Sequence, residues 1–167
     1  MRAYHSLDHI RSCLNEFDEV KKQVEQPESV ELAIWYHDAI YDPLRTDNEK
    51  QSAALSHAVL RKYGKSNKLI HAVSRLILAT KHKGTPKTID QKILVDIDLS
   101  ILGKSSDVFK EYETGIFQEF SWMPKYQFKV GRKKVLQRFL DRLQIYQTDE
   151  FSHRYEEKAR INLERAK

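Results

Sequence analysis

Leu7, Ile10, Leu14, Phe17, Val20 and Val24 recur at three- and four-residue steps, the spacing of an amphipathic helix. Pro27 ends that run, and residues 28–41 predict a second helix. Val30, Leu32, Ala33, Ile34 and Trp35 make it apolar on most sides, so it is expected to run through the core. Asp42-Pro43 marks its stop, because the residue before proline avoids the helical region. Thr46-Asp47-Asn48-Glu49 is a helix-start cluster, and Ala53, Leu55, Val59 and Leu60 carry a third helix that closes at Tyr63-Gly64. Ser66 is placed to cap a fourth, with Leu69, Ile70, Val73, Leu76 and Ile77, ending near Lys81-His82-Lys83-Gly84.

Residues 89–101 are apolar but broken by Asp96 and Asp98, and periodicity alone does not separate helix from strand there. Every other segment reads as helix, so helix is the expectation here too, with Gly103 as its end. Helical spacing returns in residues 107–120, with Val108, Phe109, Tyr112, Ile116 and Phe117. A long helix over 126–146 carries Val135, Leu136, Phe139, Leu140 and Leu143, and a highly charged one follows over 151–167. Five glycines and four prolines leave few breakers, which favours helices joined by short turns. The expected fold is all-α, a bundle of seven to eight helices in one domain over residues 1–167, with no linker and no repeat.

Composition narrows the setting. Hydrophobic residues make up 40% of the chain, enough for a core. The single cysteine, Cys13, excludes an internal disulfide and sits among apolar helix positions as a packed bystander. No apolar run is long enough to span a membrane, and the N-terminus lacks a signal-peptide layout. A reducing, cytoplasmic setting is expected, with no membrane partner. The net charge of +5 reads either as a solvated basic surface or as attraction for phosphate-bearing ligands. Its basic residues concentrate in 125–142 and 154–167; no base-reading motif accompanies them, so nucleic acid is not an expected partner. Tyr126, Arg132 and Lys133 could rim a pocket or simply form a solvated face.

Polar residues stand where helices are otherwise apolar or ending: His5 with His9, His37 with Asp38, His82, and Asp96 with Asp98. Each alone reads more readily as a surface or hydrogen-bonded residue than as a ligand, and His37 and Asp38 could pair with each other or with backbone at a helix end. Taken together they form a mixed imidazole and carboxylate donor set. Such a set suits Mn, Fe, Co, Ni, Zn or a Mg-like ion rather than a thiolate-bound one.

The order His … His-Asp … Asp resembles the HD superfamily of metal-dependent phosphohydrolases. Tyr4-His5-Ser6-Leu7-Asp8-His9 is similar to the Tyr-His-Asn-x-x-His segment of the related cyclic-nucleotide phosphodiesterases. His37-Asp38 matches the signature dyad, and Asp98-Leu99-Ser100 resembles the segment carrying the last ligand aspartate. A closer resemblance is to a group of small bacterial proteins described as predicted HD phosphohydrolases. It rests on His37-Asp38-Ala39-Ile40-Tyr41-Asp42, on Asp47-Asn48-Glu49 with Ser52-Ala53, on residues 96–103, and on Ile145-Tyr146-Gln147-Thr148 with Ala159-Arg160-Ile161-Asn162-Leu163. It covers nearly the whole chain.

The resemblance implies that His9, His37, Asp38 and Asp98 hold one divalent metal ion. A second ion is the alternative, although Tyr41 stands where the phosphodiesterases keep a further histidine. It implies hydrolysis of a phosphomonoester, phosphodiester or nucleotide by a metal-activated water. Asp98 could orient that water, and His5 or His82 could protonate the leaving oxygen. Arg45 and Lys81, with Lys83, lie near predicted helix ends and could hold phosphate. Asp42 and Glu49 could fix the ligand imidazoles from outside. Asp96, on a helix, would point away from the ion, and His57, His71 and His153 read as surface residues. The competing reading is an HD fold without turnover that binds a nucleotide or docks a protein partner. Self-association into a homodimer is left open by either.

Overall fold

The computed structural model describes residues 2–167. Eight α-helices and two short 3₁₀ turns account for its regular structure, with no strand among the described residues. In chain order the helices are α1 (Leu7–Val20), α2 (Pro27–Tyr36), α3 (Asn48–Lys62), α4 (Asn67–Ala79), α5 (Ile89–Leu99), α6 (Ser106–Glu119), α7 (Lys125–Leu140) and α8 (Asp149–Ala166). The turns are Lys21–Gln23 and Ser100–Gly103. The segment whose periodicity is ambiguous is therefore helical, and the fold is all-α as expected. No helix among the described residues is long and apolar enough to cross a membrane.

The chain divides into two compact units. One comprises Leu7–Asp98 and the other joins the N-terminal residues up to Ser6 with Leu99–Lys167. In the first of these, α3 packs along α4, α2 lies against α4 and α3, and α1 lies against α2. Phe17, Val30, Ile34, Ile70, Val73, Ile77, Ile93 and Ile97 are among its most deeply buried apolar side chains. Pro27 opens α2 instead of closing the preceding helix, because a proline at the first helical position loses no hydrogen bond. Helix α2 buries one face rather than all sides: Val30, Ala33 and Ile34 are inaccessible while Trp35 is 46% exposed. Ser66 caps α4 by accepting the Leu69 N–H.

In the other unit α8 packs on the Ser100–Gly103 turn, α7 packs on α8, and α6 meets the same turn. Leu102, Leu136, Ile145, Tyr146, Phe151, Ala159 and Leu163 fill its core. Polar side chains of α8 close it: Asn162 donates to the carbonyls of Leu102 and Lys104 at 2.9 and 3.0 Å. Arg160 donates to the carbonyls of Leu140, Arg142 and Leu143. Those carbonyls end α7 at Leu140, six residues short of the expected span, because Arg160 and the Glu156 carboxylate take over the backbone groups that a longer helix would bond internally.

Candidate metal centre

The site begins where α2 stops. The expected helix through residue 41 ends at Tyr36, and His37 is its C-terminal cap, donating its N–H to the Ala33 carbonyl at 2.9 Å. Helix α3 captures the backbone beyond it. The buried Ser52 hydroxyl accepts from the Ile40 N–H at 3.0 Å and lies 3.1 Å from the Ile40 carbonyl, to which it donates. Asn48 brackets Asp42 in the same way, accepting from its N–H at 3.1 Å and donating to its carbonyl at 2.9 Å. Backbone groups that would have continued the helix are thus satisfied from outside, and the dyad sits in a pinned turn.

Four side chains from three places in the chain converge there: His9 from α1, His37 and Asp38 from the turn, and Asp98 from the end of α5. His9 Nε2 lies 3.2 Å from His37 Nε2 and 3.2 Å from Asp98 Oδ1, and His37 Nε2 lies 3.6 Å from Asp98 Oδ1. Asp38 Oδ2 meets both imidazoles, at 3.0 Å from His37 and 3.7 Å from His9. His9, His37 and Asp98 form the mutually close trio, with Asp38 at its edge. Donors bonded to one ion at about 2.1 Å stand about 3.0 Å apart at right angles and about 3.4 Å apart in a tetrahedron. The observed separations, 3.0–3.7 Å, overlap that range and exceed it by at most 0.3 Å, so the donor set is of a size to hold a divalent ion.

The chemistry of the donors agrees. His37 Nδ1 donates to the Ile34 carbonyl at 2.8 Å, which leaves the Nε2 lone pair facing the other donors. His9 and His37 are only 6% and 2% exposed. Burial disfavours an imidazolium on His37, but the Asp38 and Asp98 carboxylates outweigh it and hold its pKa well above the usual histidine value. Burial likewise pushes the Asp98 carboxyl up, and hydrogen bonds from His37, His82 and His9 outweigh that and hold it well below the usual carboxylate range. Both directions express one demand, for positive charge among these four groups.

His82 joins the same cluster. Its Nε2 lies 2.8 Å from Asp98 Oδ2, so Asp98 turns one oxygen to His9 and the other to His82. His82 lies three residues beyond the end of α4 in a left-handed backbone conformation, with φ of 54°.

The remaining expected residues are occupied in other ways. Arg45 makes a two-point contact with Asp47 at 2.9 Å for both bonds, on the exposed loop before α3. Lys81 donates to the Thr46 carbonyl at 2.8 Å and lies 3.8 Å from Glu49 Oε2. Arg45 and Lys81, two of the three cations expected to hold phosphate, therefore tie the 45–49 segment together. Asp42, expected behind an imidazole, accepts the Leu44 N–H and shapes its own turn. The group that orients His37 is the Ile34 carbonyl, because a helix end presents unspent carbonyls three and four residues back. Asp96 is fully buried, and Cys13 Sγ lies 3.7–3.8 Å from the His9 ring. His57 and His71 meet edge to face on α3 and α4, away from any carboxylate contact described above.

His5 belongs to the other unit and has a partner that sequence reasoning missed. Its Nδ1 lies 2.7 Å from Glu119 Oε2. Glu119 Oε1 accepts the backbone N–H groups of Ala3, Tyr4 and His5 at 2.8–2.9 Å. Burial raises the Glu119 pKa, but the His5 side chain and these N–H donors outweigh it and bring it to about 2. Glu119 stands more than a hundred residues along the chain from the amides it holds, and no local pattern marks it. Comparison with family models, with curated proteins and with solved structures finds no match for this chain.

Proposed function

We propose that the protein is a metal-dependent phosphohydrolase in which His9, His37, Asp38 and Asp98 hold one divalent ion. The observation that carries this reading is the convergence of two buried imidazoles, 3.2 Å apart, on two carboxylates that each lie 3.0–3.7 Å from both of them, with His37 Nδ1 committed to backbone. The ion, when bound, supplies Lewis acidity toward a phosphate oxygen and a water made acidic enough to attack at neutral pH. Asp98 is ionised and divides its oxygens between the imidazoles and His82. It orients the attacking water, while His82 Nε2 carries the proton that the leaving oxygen needs once the P–O bond breaks. We assign that role to His82 rather than His5, because the bond to Asp98 makes His82 part of the cluster. The substrate class is a small phosphate ester, monoester, diester or nucleotide. The single cysteine accords with a reducing, cytoplasmic setting.

Elemental analysis of the purified protein, with hydrolysis of p-nitrophenyl phosphate and its bis-ester, tests the reading. About one equivalent of a divalent metal is expected, and His37→Ala or Asp38→Ala is expected to remove metal and turnover together, each cutting the rate by at least ~10²-fold. Full activity in thoroughly chelated wild-type protein would overturn it.

A further inference from the structure

The basic excess that the sequence concentrates in residues 125–142 has a definite place in the fold. A cavity of about 430 Å³ opens beside α6, α7 and the end of α8, lined by Lys125, Lys129, Lys133, Arg132, Phe117 and Phe128, among others. Lys125, Lys129 and Lys133 recur at four-residue steps, so they form a column along one face of α7. A like-charged column repels itself. None of these three lysines has a carboxylate within ion-pair distance among the described residues.

Arg132 stands apart from them. It is clasped by Glu113 and by the Tyr112 hydroxyl, so Glu113, the acidic residue of the lining, is already spent on it. The lysine column therefore leaves a positive potential unbalanced, in a concave place whose walls focus it. One wall is apolar: Phe117 and Phe128 meet edge to face with ring centroids 5.1 Å apart. A solvated basic face explains lysines on a convex helix surface. It does not explain their lining a cavity with two aromatic rings, where the lining carboxylate Glu113 is paired with Arg132 and not with them.

We infer that this cavity is a binding site for a nucleoside polyphosphate, its phosphate chain along the Lys125–Lys129–Lys133 column and its base against Phe117 and Phe128. The column runs ~12 Å along the helix axis, longer than a single phosphate and suited to a chain of two or three. The volume falls within the range of about 300–1,000 Å³ typical of small-molecule sites, which favours a compact ligand over a nucleic-acid strand. The site shares no residue with the His9, His37, Asp38 and Asp98 cluster, so it stands whether or not that cluster holds a metal.

Titration calorimetry on the full chain tests this, with ATP and inorganic tripolyphosphate as probes and a chelator present throughout. Lys129→Gln is expected to weaken both probes about tenfold, and Lys129→Gln with Lys133→Gln about a hundredfold. Phe128→Leu is expected to weaken ATP about tenfold and leave tripolyphosphate unchanged. His37→Ala, and Lys62→Gln with Lys68→Gln on exposed positions elsewhere, are expected to change neither; melting curves confirm that each variant is folded. The inference is overturned by binding that is not saturable, by equal loss in the Lys62/Lys68 pair, by loss in His37→Ala, or by a Phe128→Leu effect that does not distinguish the two probes.

Discussion

His82 Nε2 stands 2.8 Å from Asp98 Oδ2, and the backbone that delivers it is left-handed. A side chain in that conformation costs about 1 kcal/mol, since its Cβ crowds the neighbouring carbonyl. Glycine would avoid the strain, and the chain keeps a histidine there. Such strain is retained where surrounding interactions fix the residue, and here the fixing interaction is with Asp98 of the proposed metal centre.

His82→Gly is therefore expected to separate stability from turnover. Relief of the left-handed strain offsets the lost hydrogen bond, so the melting temperature should move by no more than ~3 °C. Hydrolysis of an aryl phosphate should fall about a hundredfold while metal content holds. A variant that loses metal and activity together would instead mark His82 as a ligand or as support for one.

Ser52→Ala tests the pinned turn. Its hydroxyl is buried and holds both backbone groups of Ile40, three residues beyond His37. Leaving that N–H and carbonyl unsatisfied is expected to cost about 1–3 kcal/mol in urea unfolding. Metal affinity should drop roughly tenfold, as for the loss of an outer partner of a ligand. Unchanged affinity would show that Ser52 stabilises the fold without positioning the dyad.

Glu119 gives the protein an acid-sensitive bond of known sign. Its folded pKa of about 2 lies below the 4.5 of an unperturbed glutamate, so its stabilisation is complete above pH 4.5 and is lost as pH falls through about 2. Glu119→Gln should lower the unfolding free energy at neutral pH by about 2 kcal/mol, less than the ~3 kcal/mol of the full pKa difference because the glutamine amide oxygen can still accept from some of the same N–H groups. Wild type and variant should converge in stability near pH 2. Parallel pH curves with a constant offset would mean that the carboxylate charge is not what matters.

Gly103→Ala should be among the costliest small changes in its unit. A Cβ on Gly103 would lie 2.5 Å from Tyr155 Cβ and 2.8 Å from the Tyr155 carbonyl oxygen. Those atoms belong to the body of α8 and cannot swing away. The Ser100–Gly103 turn would have to leave α8, with a loss of ~3 kcal/mol or more in chemical denaturation. A loss below 1 kcal/mol would show that the turn moves freely against α8.

The chain's own pattern determined most of the helices. Apolar spacing in α1, α4 and α6 and the Ser66 cap are readable because helix periodicity and capping are set within a few neighbouring residues. The residues that meet at the centre are also legible, since His9, His37, Asp38 and Asp98 lie in recognisable local strings and converge in the fold. Tertiary structure decided what local spacing could not express. It ended α2 at Tyr36 through Ser52 and Asn48, spent Arg45 and Lys81 on neighbouring loop groups, and brought Glu119 to the amides of residues 3–5. It also brought the lysines of α7 to the rim of a cavity. The contacts of Ser52, Lys81 and Glu119 join segments 12 or more residues apart, and those of Arg45 and Asn48 depend on how a loop turns. Periodicity reports which face of a helix is buried, but not which distant donor or acceptor will be waiting there.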